Sequence, residues 1–196
     1  MKIGVLALQG AFREHHRMFG ELGAETVLVR LKSHLEGLDA LVVPGGESTS
    51  IGRLLREYDL IQPIRNLAAQ GMPVFGTCAG MIVMANQISG GEEPHLALMD
   101  VEVNRNSFGR QRESFETDLA VPALGPEPFP AVFIRAPHIV SVGEDVKVLA
   151  TYQDRIVAVE QGNHLALSFH PELTEDNRWH AYFMTKIEAA KASRSA

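Results

Sequence analysis

The segment "PVFGTCAGMIVMA", from Pro73 to Ala85, joins two apolar runs through a turn that contains two glycines. Its centre has the Gly-X-nucleophile-X-Gly form of a nucleophile elbow, with Cys78 in the nucleophile position. That motif needs a strand before the turn and a helix after it. We therefore predict a strand over residues 72–77 and a helix over residues 79–88.

Apolar runs and helical patterns alternate on the amino-terminal side of this segment. Residues 2–8 form a continuous apolar run, as expected of a strand buried on both faces, and residues 24–31 and 39–43 are predicted as the second and third strands. Residues 11–23 and 48–71 have helical spacing, and the second helix is expected to break near Pro63. Such alternation predicts an α/β fold of three layers, with a mostly parallel, flavodoxin-like sheet flanked by helices.

The second half of the chain has short β-rich segments separated by turn residues. This pattern predicts an antiparallel β extension, followed by a last helix from Asn177 to Ala190. No linker or repeat interrupts the chain, so we expect a single domain over residues 1–196.

Composition limits the classes of function. The 196 residues include 18 basic and 24 acidic side chains and carry a net charge of −6, which argues against nucleic acid or an anionic membrane as a partner. The single cysteine excludes an internal disulfide and a paired-cysteine zinc site. We expect no metal, no cofactor, no membrane helix and a cytoplasmic location.

Cys78 has two interpretations. At an elbow, backbone N–H groups and the dipole of the following helix would favour a thiolate nucleophile. Cysteine is also among the most buried residue types, so Cys78 could simply pack in the core.

The segment "LALSFHPEL", residues 165–173, supplies the partners that a nucleophile needs. His170 follows an apolar strand, and Pro171 redirects the chain so that Glu172 returns to the same side. His170 is the candidate base and Glu172 the group that orients it. The other seven histidines lack this arrangement, and His15 and His16 are expected to be solvated on a helix.

A reaction at an acyl carbon also needs donors for the oxyanion. "VVPGGES", residues 42–48, places a glycine turn at the carboxyl end of a predicted parallel strand, where ligands bind in such sheets. The backbone N–H groups of Gly46 and Ala79 are the candidates.

The motifs "PGGES", "GTCAG" and "HPE", in this order, resemble those of class I glutamine amidotransferases. The resemblance to the family of glutaminase subunits of pyridoxal 5′-phosphate synthase extends over nearly the whole chain. It is carried by "IGVLALQGAFREH", "VPGGESTS", "FGTCAGMIVMA", "RNSFGRQRESFE", "VFIRAPHI" and "SFHPELTED".

The resemblance implies that Cys78 attacks the side-chain amide of L-glutamine while His170 moves protons and Glu172 orients His170. It implies ammonia transfer to a synthase subunit on a separate chain, within a large complex of both subunits. It also implies glutamine contacts from a wider set: Gly46, Glu47, Ser48, Arg105, Ile134 and Arg135.

Two alternatives stay open. One is the glutaminase subunit of another amidotransferase, against which "RNSFGRQ" and "FIRAPHI" argue. The other is a non-catalytic stress or redox protein with an elbow cysteine, which would have no need of His170 and Glu172.

Overall fold

The computed structural model describes residues 1–108 and 114–196. The strands there are β1 (Lys2–Leu6), β2 (Glu25–Val29), β3 (Ala40–Val43), β4 (Val74–Thr77), β5 (Ala85–Ile88), β6 (Met99–Asn104), β7 (Ser114–Leu119), β8 (Phe129–Ile134), β9 (His138–Val142), β10 (Lys147–Tyr152), β11 (Arg155–Gln161) and β12 (His164–Leu167). The α-helices there are α1 (Phe12–Glu21), α2 (Ser48–Glu57), α3 (Ile61–Ala69), α4 (Ala79–Met84) and α5 (Arg178–Arg194). Within these ranges, no helix combines the length and the apolar character that crossing a membrane requires.

The main sheet has a parallel part and a mainly antiparallel part. Strands β2, β1, β3, β4 and β12 lie side by side in that order and are all parallel. The sheet continues through β11, β9 and β6 in antiparallel pairing, ends at β5 and carries β10 beside β11. Strands β7 and β8 form a separate antiparallel pair. The predicted parallel sheet with an antiparallel extension is confirmed.

Buried side chains of the described residues form two clusters, one on each face of the sheet. Alternate residues of β3 separate them, because Leu41 and Val43 belong to one cluster and Ala40 and Val42 to the other. Helices α2, α3 and α4 cover the first face, and α1, α5 and the β7–β8 pair cover the second. The predicted three layers are therefore present.

The break in the second helical segment lies at residues 58–60, before Pro63 rather than at it. Asp59 adopts a positive φ of 52°, and α3 begins two residues later. Pro63 occupies the first turn of α3, where a helix makes no use of the backbone N–H that proline lacks. The proline therefore fits the start of a helix and does not interrupt one.

The helix after the elbow is shorter than predicted. It ends at Met84, and Ala85–Ile88 forms strand β5, which pairs with β6 in parallel. The N–H groups of Leu96 and Leu98 donate to the carbonyls of Val83 and Met84. Because these bonds satisfy the last carbonyls of α4, the chain can leave the helix there.

The last helix extends beyond the expected end at Ala190, to Arg194. Its final part contacts the body of the fold, since Lys191 Nζ lies 3.2 Å from the carboxylate of Asp39, directly before β3. Ala190 is buried beneath this turn.

Glycines allow α4 to lie directly against β3. A Cβ at Gly80 would lie 1.9 Å from the carbonyl oxygen of Val43, and one at Gly76 would lie 2.5 Å from Met84 Sδ. A carbonyl oxygen of a central strand cannot move aside as a flexible side chain can. The elbow therefore requires a residue without a side chain at Gly80.

Gly80→Ala is expected to destabilise the protein by about 3 kcal/mol, the upper part of the range for overpacked cores. In a chain of this size that corresponds to a fall in Tm of about 6–12 °C. Gly20→Ala is the matched control, because nothing lies within 4 Å of its Cβ position in α1. Alanine favours a helix, so the control should keep or raise the Tm, measured by thermal unfolding. Equal Tm values for the two variants would contradict the packing argument.

Candidate active site

A cavity of about 440 Å³ opens where β3, β4 and β12 end. The loops after these strands reach it together with those after β1, β6 and β8. Its lining includes these predicted site residues: Gly46, Glu47, Ser48, Cys78, Ala79, Arg105, Ile134, Arg135 and His170. Glu172 is buried beneath it, with 1% of its surface exposed. The structure therefore brings the predicted residues to one place.

Cys78 sits in a strained turn between β4 and α4. Its φ of 52° and ψ of −111° lie in a region that residues other than glycine rarely adopt, at a cost of about 1–3 kcal/mol. Its N–H donates to the carbonyl of Leu167 at 2.8 Å, which ties the turn to the end of β12. The thiol lies 3.6 Å from the carbonyl oxygen of Ile134 and is 7% exposed. Cys78 thus borders the cavity, and the strand–turn–helix context of the elbow is confirmed.

His170 and Glu172 are joined by a short contact. The ring atom His170 Nδ1 lies 2.5 Å from Glu172 Oε1. The backbone N–H of His170 donates to the carbonyl of Val132 in β8. With Nδ1 engaged, Nε2 is the ring nitrogen left to face Cys78. A Cβ at Gly45 would lie 2.4 Å from His170 Cε1 and 3.3 Å from Cys78 Cβ. The glycine turn therefore leaves room for the imidazole beside the thiol.

Opposing effects act on the protonation of His170. Burial lowers the pKa of its imidazole, but hydrogen bonds to Cys78 and Glu172 and the charges of both raise it, so that the pKa is raised to about 10. The imidazolium form is favoured at neutral pH. A positive charge held there attracts a thiolate, the form of cysteine that reacts.

The glycine turn after β3 is held from the side of β1. Gly45 O accepts a hydrogen bond from Ala11 N at 3.0 Å, and Glu47 N donates to Gln9 Oε1 at 2.8 Å. Because C=O and N–H of a trans peptide point in opposite directions, the Gly46 N–H faces away from Ala11. Gly46 and Ala79 both line the cavity.

Glu47 and Arg105 are paired to each other. The Glu47 carboxylate accepts from Thr49 N and Ser50 N at the start of α2, and Arg105 Nη2 donates to it at 2.9 Å. Burial raises the pKa of Glu47, but the hydrogen bonds from Thr49 and Ser50 lower it to about 2. Arg105 Nη1 also donates to Glu92 at 2.7 Å. Glu92 follows a glycine turn and belongs to no motif, so sequence reasoning missed it.

The remaining predicted contacts differ in burial. Ser48 is 2% exposed, whereas 37% of Ile134 is exposed at the edge of the cavity. Arg135 adopts a positive φ of 44°, which turns the chain sharply after β8. The "RNSFGRQRESFE" block is described only in part, because residues 109–113 lie outside the described residues.

The expectation of a solvated His15 is wrong. His15 is completely buried and lies near the carboxylate of Glu172, with its Nε2 3.5 Å from Glu172 Oε2. Its position on α1 faces the core together with Met18 and Phe19, three and four residues later. That spacing is the signal in the sequence that the solvated interpretation passed over.

Comparison with known proteins gives a consistent result. The SNO glutamine amidotransferase family matches residues 5–189. Pyridoxal 5′-phosphate synthase subunit PdxT of Geobacillus kaustophilus (strain HTA426) is 57% identical over 195 residues, covering 100% of this chain and 99% of the relative. The protein of the same name from Pelotomaculum thermopropionicum is 58% identical over 190 residues, covering 97% of each chain.

Solved structures agree in fold. A crystal structure described as a glutamine amidotransferase matches with a TM-score of 0.90 and 53% identity, covering 95% of this chain and 98% of the other. A putative GMP synthase subunit from Thermoplasma acidophilum has a TM-score of 0.67 at 20% identity, covering 100% of this chain and 96% of the other, which shows the shared fold alone. The chain belongs to the SNO glutamine amidotransferase family.

Proposed function

We propose that this chain is the glutaminase subunit of a pyridoxal 5′-phosphate synthase. It would hydrolyse L-glutamine to L-glutamate and ammonia and pass the ammonia to a separate synthase subunit. The observation that carries the proposal is the strained Cys78 at the mouth of a cavity, beside a His170 that is paired with the buried Glu172. A non-catalytic cysteine protein would have no use for a buried carboxylate oriented on that histidine.

The chemistry follows from this arrangement. The Cys78 thiolate attacks the side-chain amide carbon of glutamine and forms a C–S bond. His170 gives its proton to the amide nitrogen, the C–N bond breaks, and ammonia leaves a γ-glutamyl thioester. His170 then takes a proton from water, whose oxygen attacks the thioester and releases glutamate and the thiolate. Glu172 keeps the imidazole in the required tautomer throughout.

The other predicted residues have roles at the same cavity. The N–H groups of Gly46 and Ala79 would receive the negative charge that develops on the amide oxygen. Arg105 would bind the α-carboxylate of glutamine, sharing its guanidinium with Glu47 and Glu92. Ser48, Ile134 and Arg135 would complete the wall of the pocket.

The names of the relatives favour the synthase partner over other acceptors. Relatives at 57% and 58% identity are named pyridoxal 5′-phosphate synthase subunits, whereas the GMP synthase relative shares 20% identity. We infer a single domain over residues 1–196, because both core clusters pack on one sheet. A lone thiol nucleophile also suits a reducing compartment, so we place the protein in the cytoplasm.

Cys78→Ala should abolish glutamine hydrolysis, because the covalent intermediate needs the thiol. The measurement is glutamate release with the synthase subunit present. An electrophilic glutamine analogue should label the parent chain at Cys78 and leave the variant unlabelled, as seen by peptide mass spectrometry. Turnover by Cys78→Ala, or labelling at another residue, would refute the assignment.

Variants of the two partners should differ in severity. We expect kcat to fall by about 10⁵–10⁶-fold in His170→Asn and by about 10⁴-fold in Glu172→Gln, as in other triads. The double variant should be little worse than His170→Asn, since triad members act together. The exposed Glu175→Gln is the control and should keep full activity. Strictly multiplicative losses in the double variant would place Glu172 outside the triad.

The raised pKa of His170 predicts how stability depends on pH. The pKa of His170 is about 10 in the folded protein and 6.5 ordinarily. Protonation of His170 therefore stabilises the folded state fully below pH 6.5, and this stabilisation is lost as pH rises toward 10. Cys78→Ala removes one hydrogen bond and one charge that raise this pKa. We therefore expect the parent's Tm to fall more between pH 7 and 10 than that of the variant. NMR titration of the His170 ring should give a lower pKa in the variant, and an equal pKa would contradict the coupling.

A further inference from the structure

Two more histidines lie directly behind the triad carboxylate. His15 on α1 and His180 on α5 are both completely buried, and His15 Nδ1 lies 2.9 Å from His180 Nε2. On its other side, His15 Nε2 lies 3.1 Å from Thr77 Oγ1 and 3.5 Å from Glu172 Oε2. Thr77 directly precedes Cys78, so His15 contacts Glu172 and also the residue next to the proposed nucleophile.

Within the proposed triad, only one of the two carboxylate oxygens of Glu172 has a hydrogen-bond partner. Its Oε1 faces His170, while its Oε2 is buried without a hydrogen-bond partner among residues 1–108 and 114–196. A buried carboxylate oxygen that lacks a donor is costly. His15 Nε2 is the nitrogen that the structure places next to this oxygen.

Burial favours the neutral form of both histidines. Burial, together with the neighbouring His180 and His170, holds the pKa of His15 well below its ordinary value. Burial lowers the pKa of His180 to about 3. Two neutral rings share a single proton at the contact between them, so only two tautomer arrangements are possible.

The surroundings discriminate between these arrangements. If His15 Nδ1 donated to His180, the lone pair of His15 Nε2 would face the Glu172 carboxylate, and the N–H at His180 Nδ1 would be buried without an acceptor. In the opposite arrangement His180 Nε2–H donates to His15 Nδ1, and His15 Nε2–H faces Thr77 and Glu172. What then lacks a partner at His180 Nδ1 is a lone pair, not a donor. The second arrangement avoids the repulsion between the His15 Nε2 lone pair and the Glu172 carboxylate, and it is therefore favoured.

We propose that His15 is a positioning residue for the triad. His180 sets its tautomer, and the N–H at His15 Nε2 holds the outer oxygen of Glu172. Glu172 in turn holds His170 beside Cys78. The kinetic part of this inference rests on the proposed glutaminase function, whereas the tautomer and the contact do not.

The kinetic test compares two variants of His15. Phenylalanine keeps a ring but has no hydrogen-bond donor, whereas the glutamine amide places an N–H at a similar distance from the backbone. In the full chain with its synthase partner, we expect His15→Phe to lower kcat about ten- to a hundredfold with little change in KM, the loss found for outer partners of metal ligands. His15→Gln keeps an N–H near the Nε2 position and should recover most of kcat. The control is His16→Gln on the same helix, whose ring contacts Thr26, and it should match the parent.

A spectroscopic test needs no turnover, and its first part needs no variant. In the parent chain labelled with ¹⁵N-histidine, His15 should carry its proton on Nε2 and have a bare Nδ1. In the second part, the low-field proton of the His170–Glu172 contact should shift in His15→Phe and return toward its parent position in His15→Gln.

The outcomes separate the two proposals. A parent chain that hydrolyses no glutamine with its partner would refute the proposed function, and the tautomer of His15 would still decide the contact. A proton on His15 Nδ1 in the parent would overturn this inference even if His15→Phe failed to fold. Parental kcat together with an unshifted His170 proton in folded His15→Phe would overturn it as well.

Discussion

The backbone of Cys78 has a φ of 52°, and the packing around it must stabilise this strained conformation. Gly80 lets α4 approach the carbonyl of Val43, Gly76 makes room for Met84, and the N–H of Cys78 is fixed by Leu167. These contacts outweigh a strain of about 1–3 kcal/mol. They also place the sulphur beside the imidazole, because the same turn ends β4 next to β12. The geometry of the site is thus a result of the packing between one short helix and three strands.

Much of the fold and of the site could be predicted because the patterns are local. The elbow at Cys78, the His170–Glu172 pair and the glycine turn at Gly46 follow from a few adjacent residues and from the rule that parallel strands end at one edge. Strand β5 could not be predicted in this way. The helical pattern continues into Ala85–Ile88, and only the distant N–H groups of Leu96 and Leu98 end the helix earlier.

The same limit applies to the polar groups around the cavity. Glu92 and His15 occur in no motif, and their importance depends on which segments the fold brings beside them. Arg105 was expected at the substrate, yet the sequence could not show that two carboxylates already hold it. Glu47, Arg105 and His170 each have a partner before any substrate arrives, so little reorganisation is needed when charge develops.

The parallel pairing of β4 with β12 has a consequence for how the chain folds. The hydrogen bond from Val74 N to His164 Nδ1 joins positions 90 residues apart, and the intervening chain forms the antiparallel extension. Contacts of such long sequence separation form slowly, because a large loop must close first. During synthesis, Cys78 leaves the ribosome long before the segment that carries His170. The thiol therefore has no His170 beside it until β12 has docked, and the nascent chain passes through synthesis without the arrangement of Cys78, His170 and Glu172 seen in the folded site.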